Sequence, residues 1–375
     1  MPRVDSIAPF RPVHELSILD LRHAPVPGLI RQLAVPASIG MIFSTLLNVT
    51  DTWYAGLLSP TALAALSLAG PVFFLVMTLG IGVGQATNAL VGNRLGADRP
   101  DEARLMAFQS IGFAVVVSLL AALMAFFATP SLFASMGGEA PYLEPATSYI
   151  NIVLLGSAFF ALSIVMNAIL NTRGDTTSYR NAQIVAFVAN IGLDPLFMFV
   201  LDMGVAGVAV ATFCVQGGVL AWLAWKVSKL DFLAGATAAE FVPVPVRWLE
   251  IARQSLPTSA SMMLVAIGSL IIVAFVAPFG ESALAAYGVA LRIEQLLLLP
   301  TIGINIAALS LAGVACGAGN LARVREIYAV GLRYAVMLML AGAVILAVFA
   351  RQLMALFSPD PQCRTSASPT CTSRR

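Results

Sequence analysis

Apolar residues run along this chain in long blocks, and polar residues gather in short stretches between them. Nine blocks are long enough to cross a bilayer as a helix, which takes about 20 apolar residues. They cover 29–55, 60–88, 106–128, 146–170, 179–201, 204–227, 249–278, 282–312 and 326–350. No block alternates apolar and polar with period two, which argues against membrane strands. The pattern therefore predicts an all-α polytopic membrane protein. Composition agrees. Charged residues make up 11% of the chain, against about 25% in soluble domains, and the mean hydropathy is +0.89. Residues 1–28 are polar and lack the short apolar core of a signal peptide; they read as an N-terminal arm.

The net charge of +2 says little, but its placement sets an orientation. Cytoplasmic loops of membrane proteins carry the excess of Lys and Arg. Here the arm and every second loop are basic, for example Arg94, Arg99 and Arg104 after the second block. Lys226, Lys229, Arg247 and Arg253 follow the sixth. The intervening loops "GLLSP", "LFASMGGEAPYLEP", "VLDMGV" and "APFGES" hold no Lys or Arg, and Arg351 is the single exception. The N-terminus is expected in the cytoplasm of a bacterial cell, with the chain in its inner membrane.

A second regularity is internal. At an offset of 221, "LVGNRLGADRPDEAR" from Leu90 meets "LAGVACGAGNLARVR" from Leu311 without a gap. Pro36 meets Pro257, Gly82 meets Gly303, and Arg104 meets Arg325. Chance likeness between apolar helices supplies shared Leu and Ala, not Pro, Gly and Arg in one register. Six spans precede the second copy, so both copies enter the membrane in the same direction, as parallel repeats do in transporters. The expected organisation is a six-helix lobe (29–227), a linker (228–248) and an incomplete three-helix lobe (249–357). The last stretch, 358–375, is polar and holds two of the four cysteines. We read it as an aberrant tail left by a reading-frame shift near Pro361 or another truncation; a disordered terminus is the alternative.

Charges inside the blocks carry the chemistry. A carboxylate at mid-membrane costs roughly 2.5–3.5 kcal/mol on insertion scales, so Asp51 needs a reason. Asn190 and Asp194 are four residues apart and share one helix face. Pro195 follows, lacks a backbone donor and is expected to bend the helix and free a carbonyl. Thr212 lies in the next block, and Asn48 and Thr52 neighbour Asp51. Two carboxylates with amide, hydroxyl and carbonyl oxygens suit a hard monovalent cation or a shared proton. In the second copy Ile272 stands where the first has Asp51, so this chemistry belongs to the first lobe. Arg292 and Glu294 are further polar candidates, for the cavity or for an ion-pair network. Pro36 is a candidate bending point, and Gly80 and Gly84 allow close helix approach.

No Gly-x-x-x-x-Gly-Lys-Ser/Thr loop occurs, nor His-Glu-x-x-His nor Gly-x-Ser-x-Gly, so neither ATP hydrolysis nor those hydrolytic chemistries are expected. His14 and His23 lie in the arm, and the cysteines suggest neither disulfide nor structural metal. Such a chain would draw its energy from an ion gradient or from a partner.

Three stretches carry a family likeness. "LAVPASIGMIFSTLLNVTDTWYAGLLSPTALAALSL" resembles the opening of the multidrug and toxic compound extrusion (MATE) transporters. "NAILNTRGDTTSYRNAQIVAFVANIGLDPLFMF" is similar to the fourth and fifth helices of their DinF-like branch, and "ALRIEQLLLLP…GVACGAGNLARVRE" to the eighth. The likeness covers about 29–357. It implies two parallel six-helix lobes around a cavity that opens alternately, of which six plus three helices are present here. It also implies a monomer without cofactor or nucleic-acid partner that expels organic cations in exchange for H⁺ or Na⁺. The family's coupling residues map onto Asp51, Asn190, Asp194 and Thr212. Three other readings remain at this point. A lipid-linked precursor flippase shares the plan but has a more basic cavity. An aspartyl protease would pair Asp51 with Asp194, yet the text "IGLDP" lacks its Gly-x-Gly-Asp. A non-transporting remnant is compatible with the tail.

Overall fold

In the computed structural model, residues 18–137, 143–276 and 281–357 are described. The tail and most of the arm lie outside them. The described residues form helices, with no strand among them. A short α1 (Ile18–His23) leads into α2 (Val26–Leu58), α3 (Pro60–Gly96), α4 (Pro100–Gly137), α5 (Leu143–Asn171), α6 (Thr177–Pro195) and α7 (Gly204–Val227). Then come α8 (Pro245–Val276), α9 (Glu281–Gly317) and α10 (Leu321–Phe357). Each long helix falls on one predicted block. Eight of them are long and apolar enough to cross a membrane over described residues.

Helix ends are set by local chemistry. Ser59 caps α3 by accepting from the Ala62 amide at 3.0 Å, and Pro60 fills the first turn, where no donor is needed. Asp175 caps α6, accepting from the Thr177 and Ser178 amides at 3.1 and 3.0 Å. The tight turn before it uses Gly174 at φ +78°, a conformation open to glycine. Several helices outrun their apolar blocks at the basic end. α3 has 37 residues, about 55 Å at 1.5 Å each, and its last turns carry Asn93 and Arg94 beyond the hydrocarbon.

The repeat predicted from sequence is present in the backbone. At the end of α3, Ala97, Asp98 and Arg99 donate to Asn93, Leu95 and Arg94. At the end of α9, Ala318, Gly319 and Asn320 donate to Val314, Cys316 and Ala315, the same three bonds 221 residues on. Asp98 at φ +57° holds the left-handed turn that Gly319 holds at +70°. Packing follows the same symmetry: α2 lies on α9 as α8 lies on α3, and α3 meets α9 between them. A Cβ on Gly82 would overlap the Ser259 hydroxyl and stand 2.7 Å from the Ser255 carbonyl. One on Gly303 would overlap the Ser38 hydroxyl and stand 2.7 Å from the Ala34 carbonyl. Gly80 and Gly84 face Ala161 and Ile164 of α5, which fits their reading as packing positions.

The end of the arm is docked rather than loose. Leu21 and Val26 are buried with Leu311 and Val314 of α9. Arg22 donates to the Leu95 and Gly96 carbonyls and to both oxygens of Asp98. The linker is also held. Gln109 of α4 donates to the Glu240 and Val242 carbonyls at 2.7 and 2.8 Å and accepts from the Val244 amide at 2.9 Å.

Candidate cation site

Within the first lobe, α2, α6 and α7 pack against one another. Their shared interior receives Asp51 from α2, Asn190 and Asp194 from α6, and Thr212 from α7. Asn190 and Asp194 are wholly buried, and Asp51 and Thr212 nearly so. The Thr212 hydroxyl donates to Asp51 Oδ2 at 2.9 Å, tying α7 to α2. The Asn190 amide donates to Asp194 Oδ1 at 3.0 Å along one helix face. The Asp51 charge acts electrostatically on Asp194. The four residues singled out from sequence are thus brought together in space.

The donors present do not satisfy the acceptors. Asp51 Oδ1, Asn190 Oδ1 and Asp194 Oδ2 are buried and have no hydrogen-bond partner among the described residues. A buried acceptor without a partner costs about 1–3 kcal/mol, more when charged. A proton or a hard cation would satisfy such oxygens, since such cations take oxygen ligands. Asp51 is seven residues from the end of α2 and Thr212 eight from the start of α7, so both sit about 10–12 Å from the non-basic end.

Other expectations meet a more mixed outcome. The regular α-helix does end at Pro195, and Leu196–Val200 continues as a wider π turn. The carbonyl that Pro195 cannot bond is Ile191's, four residues back, and the Tyr54 hydroxyl of α2 donates to it at 3.0 Å. That carbonyl therefore pairs with a protein donor instead of joining the oxygen set. Asn48 and Thr52 do not join either. They are exposed and bond the Ser44 and Asn48 carbonyls of their own helix. The buried stripe is Leu47, Asp51 and Ala55, spaced by four. Asn48 and Thr52 both fall to one side of it. α2 passes through Pro36 without interruption. Glu294 is exposed on α9, and the Arg292 side chain lies outside the described residues.

Two tyrosines escaped the sequence reading. Tyr54 stands one turn beyond Asp51 on the same face, a spacing that could have flagged it. Tyr149 of α5 lies within electrostatic range of both Asp51 and Asp194, and nothing in its own neighbourhood of sequence points there.

Known proteins place this architecture. The MatE family pattern matches residues 36–196 and again 257–371, two matches that start 221 residues apart, the second running on into the polar tail. The FAD transporter of Shewanella oneidensis is 25% identical over 347 residues, covering 91% of this chain and 76% of that protein. The probable multidrug resistance protein NorM of Thermotoga maritima is 26% identical, covering 88% and 72%. Among solved structures, an outward-facing multidrug resistance MATE transporter superposes with a TM-score of 0.86 at 30% identity, over 94% of this chain and 78% of that one. A MOP-superfamily transporter from Pyrococcus furiosus, whose binding pocket is described as of reverse polarity, gives 0.84 at 30% identity over 93% and 77%. With two family matches in the register of its own internal repeat, the chain belongs to the MatE family of multidrug and toxic compound extrusion transporters.

Proposed function

We propose that the protein is a cation-coupled antiporter that exports amphiphilic, cationic small molecules across the bacterial inner membrane, with its N-terminus and basic face in the cytoplasm. The coupling ion is H⁺ or Na⁺, and Asp51, Asn190, Asp194 and Thr212 receive it. The observation that carries this reading is that Asp51, Asn190 and Asp194 are buried, each with one side-chain oxygen that has no hydrogen-bond partner among the described residues. Among the described residues the hydrogen bonds and close glycine contacts between the lobes lie toward the basic end, around Ser38, Asn88 and Gly96. Neutralising the two acids removes their mutual repulsion and the demand for donors, which changes how α2, α6 and α7 pack. The ion can shift the balance between outward- and inward-facing states only through different affinity for the two. The acid pair supplies that difference, because its surroundings are set by the three helices that rearrange. Chemistry on the exported molecule is not part of the cycle.

The test is dye efflux in bacteria stripped of their own multidrug pumps, with membrane insertion checked in the same cells. Asp51→Asn and Asp194→Asn should each raise accumulation of a fluorescent organic cation to the level of cells without the protein. If both variants kept efflux and its pH or Na⁺ dependence, the coupling role would fall.

A further inference from the structure

The outer surface of α6 and α7 holds a cavity of about 400 Å³ that takes no part in the cation cluster. Asn181, Ala186 and Leu193 of α6 and Cys214, Gly218 and Trp222 of α7 line it, and no lining residue is charged. It opens outward, since Val185 is 68% exposed and Trp222 41% exposed at its edges. From Asn181 to Leu193 the helix rises about 18 Å at 1.5 Å per residue. Half of a hydrocarbon core about 30 Å thick is close to that depth. The groove therefore runs from the basic end of the two helices up to the level of Asp194, a length close to the reach of one leaflet.

Its basic end is built differently. Arg180 donates from Nε and Nη2 to Asn181 Oδ1 at 3.0 and 2.8 Å, which holds the guanidinium at the mouth. On the other wall, the Lys226 ammonium sits 5.5 Å from the Trp222 ring centre and 5.3 Å from that of Trp225. Neither cation has an acidic partner within ion-pair distance among the described residues. An apolar slot of leaflet depth, capped by an interfacial tryptophan and two uncompensated cations, has the chemistry of a phospholipid with a negative headgroup.

We infer that the α6–α7 groove binds one anionic phospholipid of the inner leaflet, its acyl chain along Ala186 and Gly218 and its headgroup between Arg180 and Lys226. The inference rests on the proposed orientation only for the choice of leaflet. A bound lipid here would brace the two helices that carry Asn190, Asp194 and Thr212, so its occupancy would bear on the cation site from behind.

The experiment reads binding, not transport. Trp222 is kept as sole tryptophan by Trp53→Phe, Trp225→Phe and Trp248→Phe, and the protein is placed in vesicles with either brominated phosphatidylglycerol or brominated phosphatidylcholine at equal mole fraction. Phosphatidylglycerol should quench Trp222 more strongly. Lys226→Gln should cut that preference about fivefold, the worth of one basic residue at a charged surface, and Arg180→Gln should act alike. Gly218→Leu, which fills the slot, should abolish it. Equal quenching by the two lipids, or a preference that survives Gly218→Leu, would overturn the site while leaving the membrane reading intact. No quenching by either lipid would overturn both. Should the sole-tryptophan protein fail to fold, native mass spectrometry of the unsubstituted chain with the two unbrominated lipids decides. One retained phosphatidylglycerol, absent in Lys226→Gln, supports the site, and no retained lipid sinks it.

Discussion

Arg94 of α3 holds Glu250 of α8 at 2.6 Å, Nη2 to Oε1, across the seam between the two lobes. Arg94 also donates to its own Leu90 carbonyl at 3.0 Å, and Arg247 takes the other oxygen of Glu250 at 3.3 Å. Glu102 of α4 stands 4.0 Å from both arginines. The group borders a cavity of about 460 Å³ at the basic end of the lobe interface. Alternation between outward- and inward-facing states has to break this contact if the lobes part here.

The Arg94–Glu250 pair should therefore act as a latch of modest strength. The Glu250 side chain is 35% exposed, so solvent screens the attraction and the pair is weaker than a dry one. In a double-mutant cycle with Arg94→Met and Glu250→Met, we expect a coupling of about 1–2 kcal/mol from denaturant unfolding, within the usual range for contacting residues. It should shrink as salt is raised from about 0.01 to 1 M, where the Debye length falls from about 30 to 3 Å. A coupling near zero at low salt would remove the latch.

In the same seam, at the ends of α3 and α9, glycines decide how close the lobes come. A Cβ on Gly96 would overlap the Val314 carbonyl, and one on Gly317 the Asn93 carbonyl; both obstacles are backbone and cannot swing aside. A Cβ on Gly92 would find its nearest neighbour at 3.7 Å, an ordinary contact. Ala is favoured over Gly in a helix by about 0.8–1.0 kcal/mol, whereas overpacking costs about 1–3 kcal/mol. Gly92→Ala should therefore be neutral or stabilising, and Gly96→Ala and Gly317→Ala should each lower unfolding stability by about 1–3 kcal/mol. Equal behaviour of all three would mean that the lobes do not meet at these positions.

Hydropathy read the bilayer, not the helix. For α7 the two coincide, 204–227 in both, because that helix has no polar extension. α3 runs on from residue 88 to Gly96 through Asn93 and Arg94, which the apolar block cannot reveal, since a helix end in water carries no hydropathy signal. The docking of the arm leaves no local signal either. Leu21 is buried by α9, a partner nearly 300 residues away that no local pattern announces. The grouping of Asp51, Asn190, Asp194 and Thr212 was legible because acids in apolar blocks are costly and rare. Tyr149 was not, since a tyrosine in a membrane block needs no special reason. The repeat was the strongest signal, because identical turn chemistry at Asp98 and Gly319 leaves the same Gly-Ala text before it.

Thr212 offers a graded test of the cluster. Its hydroxyl is the sole protein donor given to Asp51 Oδ2 among the described residues. Thr212→Val keeps the shape and removes the donor, and Thr212→Ser keeps the donor. A hydrogen bond to a charged group is worth about 1.5–3 kcal/mol, which corresponds to about tenfold or more. The concentration of H⁺ or Na⁺ giving half-maximal efflux should shift by that factor in Thr212→Val and stay near the original in Thr212→Ser. A shift of the same size in both variants would make Thr212 a packing residue.

The docking of the arm should depend weakly on pH, and the sign follows from Asp98. The hydrogen bond from Arg22 holds the Asp98 carboxyl below the usual carboxylate range, against a small opposing effect of burial. In the undocked arm the group returns to its ordinary value of about 3.9. The contribution of the pair to docking is therefore fully present above about pH 3.9 and is lost as pH falls through the lowered value of the docked state. Asp98 is 79% exposed, so the pair is screened. The bonds from Arg22 to the Leu95 and Gly96 carbonyls do not titrate, and full burial of a residue such as Leu21 stabilises by about 1.5–3 kcal/mol. Those terms outweigh the ion pair. Hydrogen exchange of residues 18–24 should quicken slightly on acidification to about pH 3 in the unsubstituted protein and lose that acid step in Asp98→Asn. Leu21→Ala should expose the segment at every pH. An acid step that persists in Asp98→Asn would assign it to another carboxylate.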